Sequence, residues 1–394
     1  MAAVLLCGDE FHATLAGVRG LHAGGHIPYV ALSTRRTYAS YSRYTAATVE
    51  VPDPDLDPVA YAKAIGEAAV KIGAGAILPG TESSLVVLSR NSTAIPTNIA
   101  IGIPSLSTVM AAVDKTSVVE FAERAGLQTP PSRTTTREDL LLEASRFDYP
   151  LILKPLRSKL PTGEGTMRYF QARRIETPEQ LLRVLTDAPH GPWVVQPYFQ
   201  AELSAIGGVA WRGTLVCAVH QVAQRIWPPY AGYSSYAKTV TPDESLEEAA
   251  RYLLAQVEWS GVFQIQFIRV QRDCFFIDFN PRLYGSIALA MAAGRNLPAI
   301  WADLVLGREP KVSSYRPGVR YRLEHNDARA IAWLLTTGAA GAGLRGLVPR
   351  RNTVHGIFSL GDPGPLRTWL FKAAARASPR LVGLRRTAPG RPGS

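Results

Sequence analysis

Two strand-like segments near residue 270 constrain the fold of this chain more than any other feature. Residues 263–270 (FQIQFIRV) and 274–280 (CFFIDFN) both carry apolar side chains at alternating positions, and Gln271 to Asp273 separate them. Successive side chains of a strand point to opposite faces, and a three-residue link is a common hairpin loop. Pro281 removes a ladder donor directly afterwards. The pattern therefore predicts an antiparallel hairpin that ends at Asn280.

This pairing places polar side chains together on one face of the hairpin. Gln266 lies opposite Asp278 and Gln264 lies opposite Asn280, at a Cβ separation of ~4.5–5.5 Å. The reverse face is predicted to hold Phe263, Ile265, Phe267, Phe275, Ile277 and Phe279. Carboxylate and amide oxygens are ligands of Mg²⁺, usually together with water and nucleotide phosphates. The pattern thus predicts a metal site of Gln266, Asp278 and Asn280, although a solvated polar sheet face explains it equally well.

The rest of the chain alternates helical and strand-like segments, which predicts an α/β protein. Its 394 residues are 46% hydrophobic, enough for two or three domains. Residues 1–108 open with a strand (AVLLCG), a helix from about His12 to Ala23 and a second strand (IPYVALS). We expect a small doubly wound parallel-sheet domain here. It lacks the GxGxxG fingerprint of a dinucleotide site.

Composition and charge exclude several classes of protein. The three cysteines are far apart, so neither a disulfide framework nor a structural zinc site is expected, and a reducing, cytoplasmic setting fits. No uncharged run predicts a transmembrane helix. Of the net charge of +11, seven positive charges fall within residues 363–394. Because the basic residues are concentrated in this tail, we do not expect a nucleic-acid partner. We expect the tail to form a helix that packs on the body and is followed by a disordered end, or to make a weak peripheral contact with a membrane.

Further motifs follow the first domain in a fixed order. Asp114 is a plausible N-cap of a helix that begins with Lys115, and Lys154 lies near the end of a strand (LILKP). A charged loop with two glycines (RSKLPTGEGT, residues 157–166) comes next. A strand (WVVQPYF) then leads to Glu202, and Arg282 follows the predicted hairpin.

Taken together, these segments resemble the ATP-grasp superfamily of ATP-dependent carboxylate–amine (or thiol) ligases, over roughly residues 1–310. The resemblance implies a two-lobed α+β ATP-grasp domain after the first domain, with both carbamoyl phosphate synthetase and D-alanine–D-alanine ligase as similar cases. The predicted divisions are 1–108, 109–192 (first lobe), 193–312 (second lobe) and 313–394 (a C-terminal extension).

The resemblance also assigns roles to individual residues. The phosphates of ATP are expected at Lys115, Lys154 and the glycine-containing loop. The adenine is expected at a hinge formed by the segment Gln196, Pro197 and Tyr198, and the ribose hydroxyls at Glu202. The closing Glu-x-Asn-Pro-Arg motif of the family appears as Asp278 to Arg282.

Two departures from the family pattern concern the metal site. The leading glutamate is Asp278, which is one methylene shorter, and the carboxylate usual in the preceding strand is Gln266. Carbamoyl phosphate synthetase resembles this chain in having Gln there. An uncharged ligand and a shorter acid predict weaker binding of Mg²⁺ in the absence of ATP.

The expected function is an ATP-dependent ligase that activates a small carboxylate as an acyl phosphate and joins it to an amine, with ATP and Mg²⁺ (or Mn²⁺) as cofactors. Arg282 is the first choice for stabilising the transferred phosphoryl group, and Arg225 the second. The aromatic loop WPPYAGYSSY (residues 227–236) either lines an acceptor pocket or packs internally. The alternatives are a catalytically weakened, regulatory ATP-binding module and a peripheral membrane protein dominated by its tail. A homodimer is compatible with each.

Overall fold

The computed structural model describes residues 1–8, 12–33, 37–156, 159–161, 167–186, 188 and 191–370, with side chains undescribed for 159–161 and 167–169. Most of the glycine-containing loop at 157–166 and the basic tail from residue 371 therefore lie outside the described residues.

A five-stranded parallel sheet, the N-terminal sheet, forms the first part of the molecule. Its strands are β1 (Ala3–Gly8), β2 (Ile27–Leu32), β3 (Ala47–Glu50), β4 (Ala76–Pro79) and β5 (Ala100–Ile101), in the order β3-β2-β1-β4-β5. The accompanying helices are α1 (His12–Ala23), α2 (Pro58–Ile72), α3 (Glu82–Arg90) and α4 (Leu106–Val113). Strand β1 is apolar throughout because both of its faces are covered. Val4 and Leu6 join one hydrophobic cluster, and Leu5 and Cys7 join another.

A four-stranded antiparallel sheet follows. Its strands are β6 (Arg133–Thr135), β7 (Leu151–Pro155), β10 (Arg173–Ile175) and β11 (Trp193–Pro197), in the order β10-β7-β11-β6. Strands β8 (Lys159–Pro161) and β9 (Met167–Tyr169) pair separately, and the helices are α5 (Lys115–Arg124), α6 (Arg137–Glu143) and α7 (Pro178–Thr186). Leu140, Leu153, Leu181 and Trp193 form the centre of its core, and each is fully buried. The register of this sheet brings Lys154 opposite Val194.

A seven-stranded sheet forms the largest layer. Its strands are β12 (Glu202–Trp211), β13 (Thr214–Trp227), β14 (Tyr233–Thr239), β15 (Gly261–Val270), β16 (Asp273–Asn280), β17 (Arg320–Arg322) and β18 (Thr353–His355), in the order β16-β15-β12-β13-β14-β17-β18. The helices of this part are α8 (Glu244–Val257), α9 (Ile287–Ala292), α10 (Leu297–Val305), α11 (Glu324–Thr336) and α12 (Ala340–Leu347). All pairings are antiparallel except that of β17 with β18. The predicted division at residue 312 therefore falls between strands of a single sheet.

The mixed α/β architecture, with a doubly wound parallel sheet followed by strand-rich lobes, agrees with the sequence prediction. Within the ranges that the structure covers, no helix is both long and apolar enough to cross a membrane.

Candidate active site

A cleft of about 920 Å³ lies between the four-stranded and seven-stranded sheets. Nine of the eleven residues that the sequence analysis assigned to the site line this cleft: Lys115, Lys154, Gln196, Pro197, Tyr198, Gln266, Asp278, Asn280 and Arg282. Glu202 and Arg225 are not among its lining residues. One concave site thus collects side chains from segments more than 160 residues apart along the chain.

The hairpin of β15 and β16 supplies the polar floor of the cleft. Gln266 pairs with Asp278 and Gln264 with Asn280, as predicted. The predicted three-residue turn was wrong, since Val270 pairs with Asp273 and only two residues form the turn. A register shift directly after Gln266 leaves Ile277 as an extra residue in β16. This β-bulge offsets the shorter turn, so the predicted register holds at the polar pairs and fails beyond them.

The bulge also changes which aromatic side chains enter the core. Phe276 and Phe279 are buried in the same cluster as Phe263. The predicted placement of Phe275 and Ile277 on that face was wrong. Phe275 instead stacks on Phe199, with ring centroids 5.4 Å apart, and Ile277 lines the cleft. Side chains of a strand alternate between its two faces, and an extra, unpaired residue shifts this alternation by one position. Side chains on one side of the bulge therefore change to the opposite face of the sheet.

Asp278, Asn280 and Arg282 form a short polar chain on the cleft side of the hairpin. The Arg282 Nη2 donates to Asn280 Oδ1 at 3.1 Å, and its Nη1 donates to the Leu283 carbonyl at 3.0 Å. Asn280 Nδ2 lies 3.5 Å from Asp278 Oδ2. Gln264 is buried, and its amide nitrogen lies 3.5 Å from Ser286 Oγ. The hydrogen bond with Asn280 therefore fixes the orientation of the Arg282 guanidinium beside the polar side chains of the hairpin.

The donor set fits a magnesium ion that is shared with phosphates. Gln266, Asp278 and Asn280 offer oxygen atoms only, and they belong to directly paired or alternate positions of one hairpin. They include one carboxylate. Among the described residues no group of three or more His, Cys, Asp and Glu side chains is placed to hold a metal. Since Mg²⁺ accepts carboxylate and amide oxygens together with nucleotide phosphates, the arrangement suits an ion that arrives with a nucleotide.

Two lysines give the cleft its positive charge. Lys154 on β7 and Lys115 at the start of α5 both line it, and Lys154 Nζ lies 3.5 Å from the Ile277 carbonyl oxygen. Burial lowers the pKa of Lys154 to about 8, the charge of Lys115 acts in the same direction, and Asp278 opposes both. Lys115 is positioned by its neighbour Asp114, whose Oδ1 accepts from the Ser117 backbone N–H at 2.9 Å and so caps the helix as predicted.

The segment 196–198 lies at one end of the cleft, where β11 leads towards β12. The Gln196 side-chain amide donates to Ser132 Oγ at 2.7 Å, and the Tyr198 N–H donates to the Pro150 carbonyl at 3.1 Å. The Arg174 guanidinium carbon lies 4.4 Å from the centroid of the Tyr198 ring and 4.2 Å from that of Tyr230. This cation–π contact joins the four-stranded sheet to the aromatic loop.

Residues 230–234 of the aromatic loop line the cleft, and the role of this loop in an acceptor pocket stays a prediction. Tyr230 and Tyr233 both face the cavity, and Tyr230 also meets Trp333 edge to face at 5.6 Å. Arg174 and Trp333 also line the cleft, and no motif in the surrounding residues predicts them.

His12 was also missed, although a signal was present. It begins α1 directly after the described part of β1 and lines the cleft. Residues at the carboxyl ends of parallel strands commonly line ligand sites. Burial lowers the pKa of His12 to about 4, and the positive charge of His325 adds to this effect.

Glu202 and Arg225 lie outside the cleft for different reasons. Glu202 is exposed at the start of β12, where it pairs with Arg269, while its neighbours Ala201 and Leu203 line the cavity. Arg225 forms a two-point ion pair with Asp327, with Nε–Oδ1 and Nη2–Oδ2 distances of 2.7 and 3.0 Å. It lines a neighbouring cavity and not the cleft, so we assign it no part in the chemistry there.

Comparisons with known proteins point to one superfamily. Residues 189–326 match a family model described as ATP-grasp in the biosynthetic pathway with Ter operon. The carbamoyl phosphate synthase large chain of Rubrobacter xylanophilus is 28% identical over 221 residues. That match covers 52% of this chain and 20% of the relative, so it spans about a fifth of the relative's length.

Solved structures resemble the fold over most of the chain. The complex of biotin carboxylase from Campylobacter jejuni with β,γ-ATP has a TM-score of 0.58 at 19% identity, covering 81% of this chain and 74% of that one. The L-amino acid ligase from Bacillus licheniformis has a TM-score of 0.59 at 12% identity, covering 81% and 78%. The N5-carboxyaminoimidazole synthetase from Staphylococcus aureus, complexed with ADP, has a TM-score of 0.57 at 15% identity, covering 80% of each chain. The chain therefore shares the fold of these solved structures, and residues 189–326, about a third of its length, match an ATP-grasp family model.

Proposed function

We propose that this protein is an ATP-dependent ligase that activates a small carboxylate as an acyl phosphate and joins it to an amine. The observation that carries the proposal is the composition of the cleft. Two lysines on one side face the polar chain of Asp278, Asn280 and Arg282 on the other. Cations that surround a carboxylate-and-amide patch suit the phosphates of a metal-bound nucleotide.

The proposed reaction has two steps. A carboxylate oxygen of the first substrate attacks the γ-phosphorus of ATP, and the bond from that phosphorus to the β,γ-bridging oxygen breaks, which releases ADP. The amine nitrogen then attacks the acyl carbon. The carbon–oxygen bond to phosphate breaks, the amine loses a proton, and an amide and inorganic phosphate are formed. Neither step needs a protein nucleophile.

Each cleft residue has a role in this scheme. Lys154 and Lys115 bind phosphate oxygens, and the low dielectric around Lys154 strengthens that interaction. Arg282, which Asn280 holds in place, stabilises the negative charge that develops on the transferred phosphoryl group. The segment of Gln196, Pro197 and Tyr198 is the proposed contact of the adenine.

Gln266, Asp278 and Asn280 are the proposed ligands of Mg²⁺ (or Mn²⁺). The ion would neutralise phosphate charge during transfer. Asp278 is their one anionic group, and Asn280 connects it to Arg282. A single carboxylate predicts that nucleotide and metal bind together rather than separately.

Release of ADP and phosphate tests the proposal. The protein is incubated with ATP and Mg²⁺ across a panel of small carboxylates and amines, and ATP binding is measured separately by calorimetry. We expect ADP release that depends on one carboxylate, with a hydroxamate formed when hydroxylamine replaces the amine. ATP binding without turnover for any pair would contradict a ligase.

The same assay decides for or against the second candidate function, a catalytically weakened ATP-binding module. The observation that favours it is the uncharged Gln266 directly opposite the shorter acid Asp278. If Gln266→Glu restores turnover to a protein that binds ATP but is otherwise inactive, the module is correct.

The remaining proposals concern the setting of the protein. We propose that it works in the cytoplasm on small molecules and not on nucleic acid. A homodimer and a weak membrane contact of the basic tail stay predictions, and the tail lies outside the described residues. Liposome flotation with and without residues 363–394 tests the membrane contact.

A further inference from the structure

A second cavity of about 640 Å³ lies beside the cleft, and we call it the arginine cavity. It is formed where strands β13, β14 and β17 meet helices α11 and α12. Gln224, Ile226, Tyr230 and Trp333 line both cavities. The side chains of these four residues therefore separate a molecule in the arginine cavity from the cleft.

The arginine cavity is strongly positive. Five arginines line it, and no acidic side chain appears among its described lining residues: Arg225, Arg320, Arg322, Arg345 and Arg350. Asp327 lies behind the wall with 1% of its side chain exposed, and its carboxylate contacts two of these arginines. Because a guanidinium stays charged at any physiological pH, four positive charges remain uncompensated.

The sheet holds two of these arginines in fixed positions. Arg225 pairs with Tyr236, and Tyr236 pairs with Arg322 on the next strand, so the three form one cross-strand row. The guanidinium carbons lie 4.3 and 5.3 Å from the centroid of the Tyr236 ring. Asp327 accepts from Arg225 and lies 3.0 Å from Arg322 Nε. Arg322 Nη2 also donates to the Gly346 carbonyl at 2.9 Å. Within the described residues the Nη1 groups of both arginines make no hydrogen bond, which leaves them available to a ligand.

Strand geometry adds a third arginine to the same face. Arg320 and Arg322 are alternate residues of β17, so both point to the cavity while Tyr321 between them is buried in the core. The pairing of β13 with β14 is irregular on both sides of Arg225. Such an irregularity changes the direction in which the side chains of that part of β13 point. Guanidinium groups this close repel one another, and an anionic ligand would remove the repulsion.

We propose that the arginine cavity binds a second anionic group of the acid substrate, so that the substrate carries a further carboxylate or phosphate group besides the carboxylate that is phosphorylated. One group would be held by Arg320, Arg322 and Arg345, while the other would reach past Tyr230 and Trp333 to be phosphorylated in the cleft. Naming the ligand as the substrate rests on the proposed ligase function. The presence of a polyanion site beside the cleft rests on the charge and geometry of the cavity alone.

Direct binding of a probe tests the site without ATP. Tricarballylate, methylenebisphosphonate and butyrate are titrated into the full chain by calorimetry, in buffer freed of metal with a chelating resin and at constant ionic strength. Comparing the first two separates carboxylate from phosphate ligands, and butyrate is the single-charge control. The test variant is Arg320→Gln/Arg345→Gln, which keeps both contacts of Asp327 intact. The charge-matched control is Arg308→Gln/Arg329→Gln, at exposed positions outside both cavities.

We expect tricarballylate or methylenebisphosphonate to bind at least about tenfold more tightly than butyrate. The test variant should weaken that binding by about tenfold or more, and the control variant by less than about twofold. Equal affinity for the polyanionic probes and butyrate, or equal losses in the two double variants, would overturn the site. So would abolition of binding by Lys154→Gln, because the probe would then lie in the cleft. A protein that binds the probe through Arg320 and Arg345 but never releases ADP would refute the ligase and keep the site.

Discussion

The Lys154 ammonium is a charge in surroundings that solvate it poorly. Burial and the nearby Lys115 lower its pKa to about 8, so part of the free protein carries a neutral Lys154 at mildly alkaline pH. A bound phosphate favours the charged form. Below about pH 8 the proton is already present and nucleotide affinity should be flat. Above it, binding must take up a proton, and affinity should fall by up to about tenfold per pH unit.

Calorimetry with ADP between pH 6.5 and 9.5, in metal-free buffers of different ionisation enthalpy, measures both the affinity and the proton uptake. Lys154→Arg is the matched control because a guanidinium stays charged over this range. We expect it to bind ADP with little change in affinity across the window and without proton uptake. If the arginine variant shows the same pH slope as the unaltered protein, another group is responsible.

Asp278 supplies the single carboxylate of the proposed metal site, and its removal should be far more costly for activity than for folding. Asp278→Ala is expected to lower ATP turnover at least ~100-fold, about 2.7 kcal/mol of transition-state stabilisation. The melting temperature should stay near that of the unaltered protein, since the side chain is half-exposed and faces the cleft. Asp273→Ala, at an exposed position of the same strand, is the control for both measurements. Near-normal turnover in Asp278→Ala would refute the metal assignment.

The position of the Arg225 side chain shows what a sequence pattern cannot predict for a single residue. It was the second choice for a residue that stabilises the transferred phosphoryl group, but it does not line the cleft. The partner that determines its direction, Asp327, lies 102 residues further along the chain. Ion pairs of this kind follow from tertiary packing, so the placement of Arg225 required the structure. Lys154, by contrast, could be placed on a short strand from the sequence pattern, while only the resemblance to the ATP-grasp superfamily predicted that it belongs to the site.

The N-cap of helix α5 is expected to influence nucleotide binding. Asp114 caps the helix whose first residue, Lys115, lines the cleft. Asp114→Ala should destabilise the fold by ~1 kcal/mol and weaken ADP binding several-fold, because the fraying first turn displaces Lys115. Thr136 caps α6 in the same way, accepting from the Asp139 N–H at 3.1 Å, but α6 contributes no residue to the cleft.

Thr136→Ala is therefore the matched control for the capping prediction. Urea denaturation should give a similar loss of stability for both variants, whereas calorimetry with ADP should separate them. Equal ADP affinities in the two variants would show that the cap of α5 has no influence on the position of Lys115.

Local patterns predicted the elements well where one short-range rule governs them. The predicted helix from about His12 to Ala23 agrees with α1, whose bounds are His12–Ala23. The β15–β16 hairpin shows the limit. Alternation of apolar residues does not mark where two residues oppose one, so the bulge at Ile277 was missed and the turn was placed one residue too long. The polar pairs were nevertheless correct because these two errors cancel.

At the scale of the whole molecule, residues 313–370 are part of the fold and contact both the seven-stranded sheet and the N-terminal part of the chain. Strands β17 and β18 extend the seven-stranded sheet, and Asp362 returns to the first domain. Its side chain is fully buried. It accepts from Arg19 Nε at 2.9 Å, from Ser42 Oγ at 2.8 Å and from the Arg43 backbone N–H at 2.9 Å. Arg19 Nη2 also donates to the Ile357 carbonyl at 2.9 Å.

Removing this carboxylate should weaken the whole molecule, because it leaves a mostly buried Arg19 without its counter-charge. We expect Asp362→Ala to lower the free energy of unfolding by about 3 kcal/mol, as measured by urea denaturation. Glu67→Ala removes one partner of the exposed pair with Lys63, where both side chains are more than two-thirds exposed, and should cost less than about 0.5 kcal/mol. If tryptophan fluorescence and far-UV circular dichroism of Asp362→Ala still give one coincident transition, the first domain and the C-terminal segment unfold as a unit. An unchanged midpoint in Asp362→Ala would mean that the contact contributes nothing to holding them together.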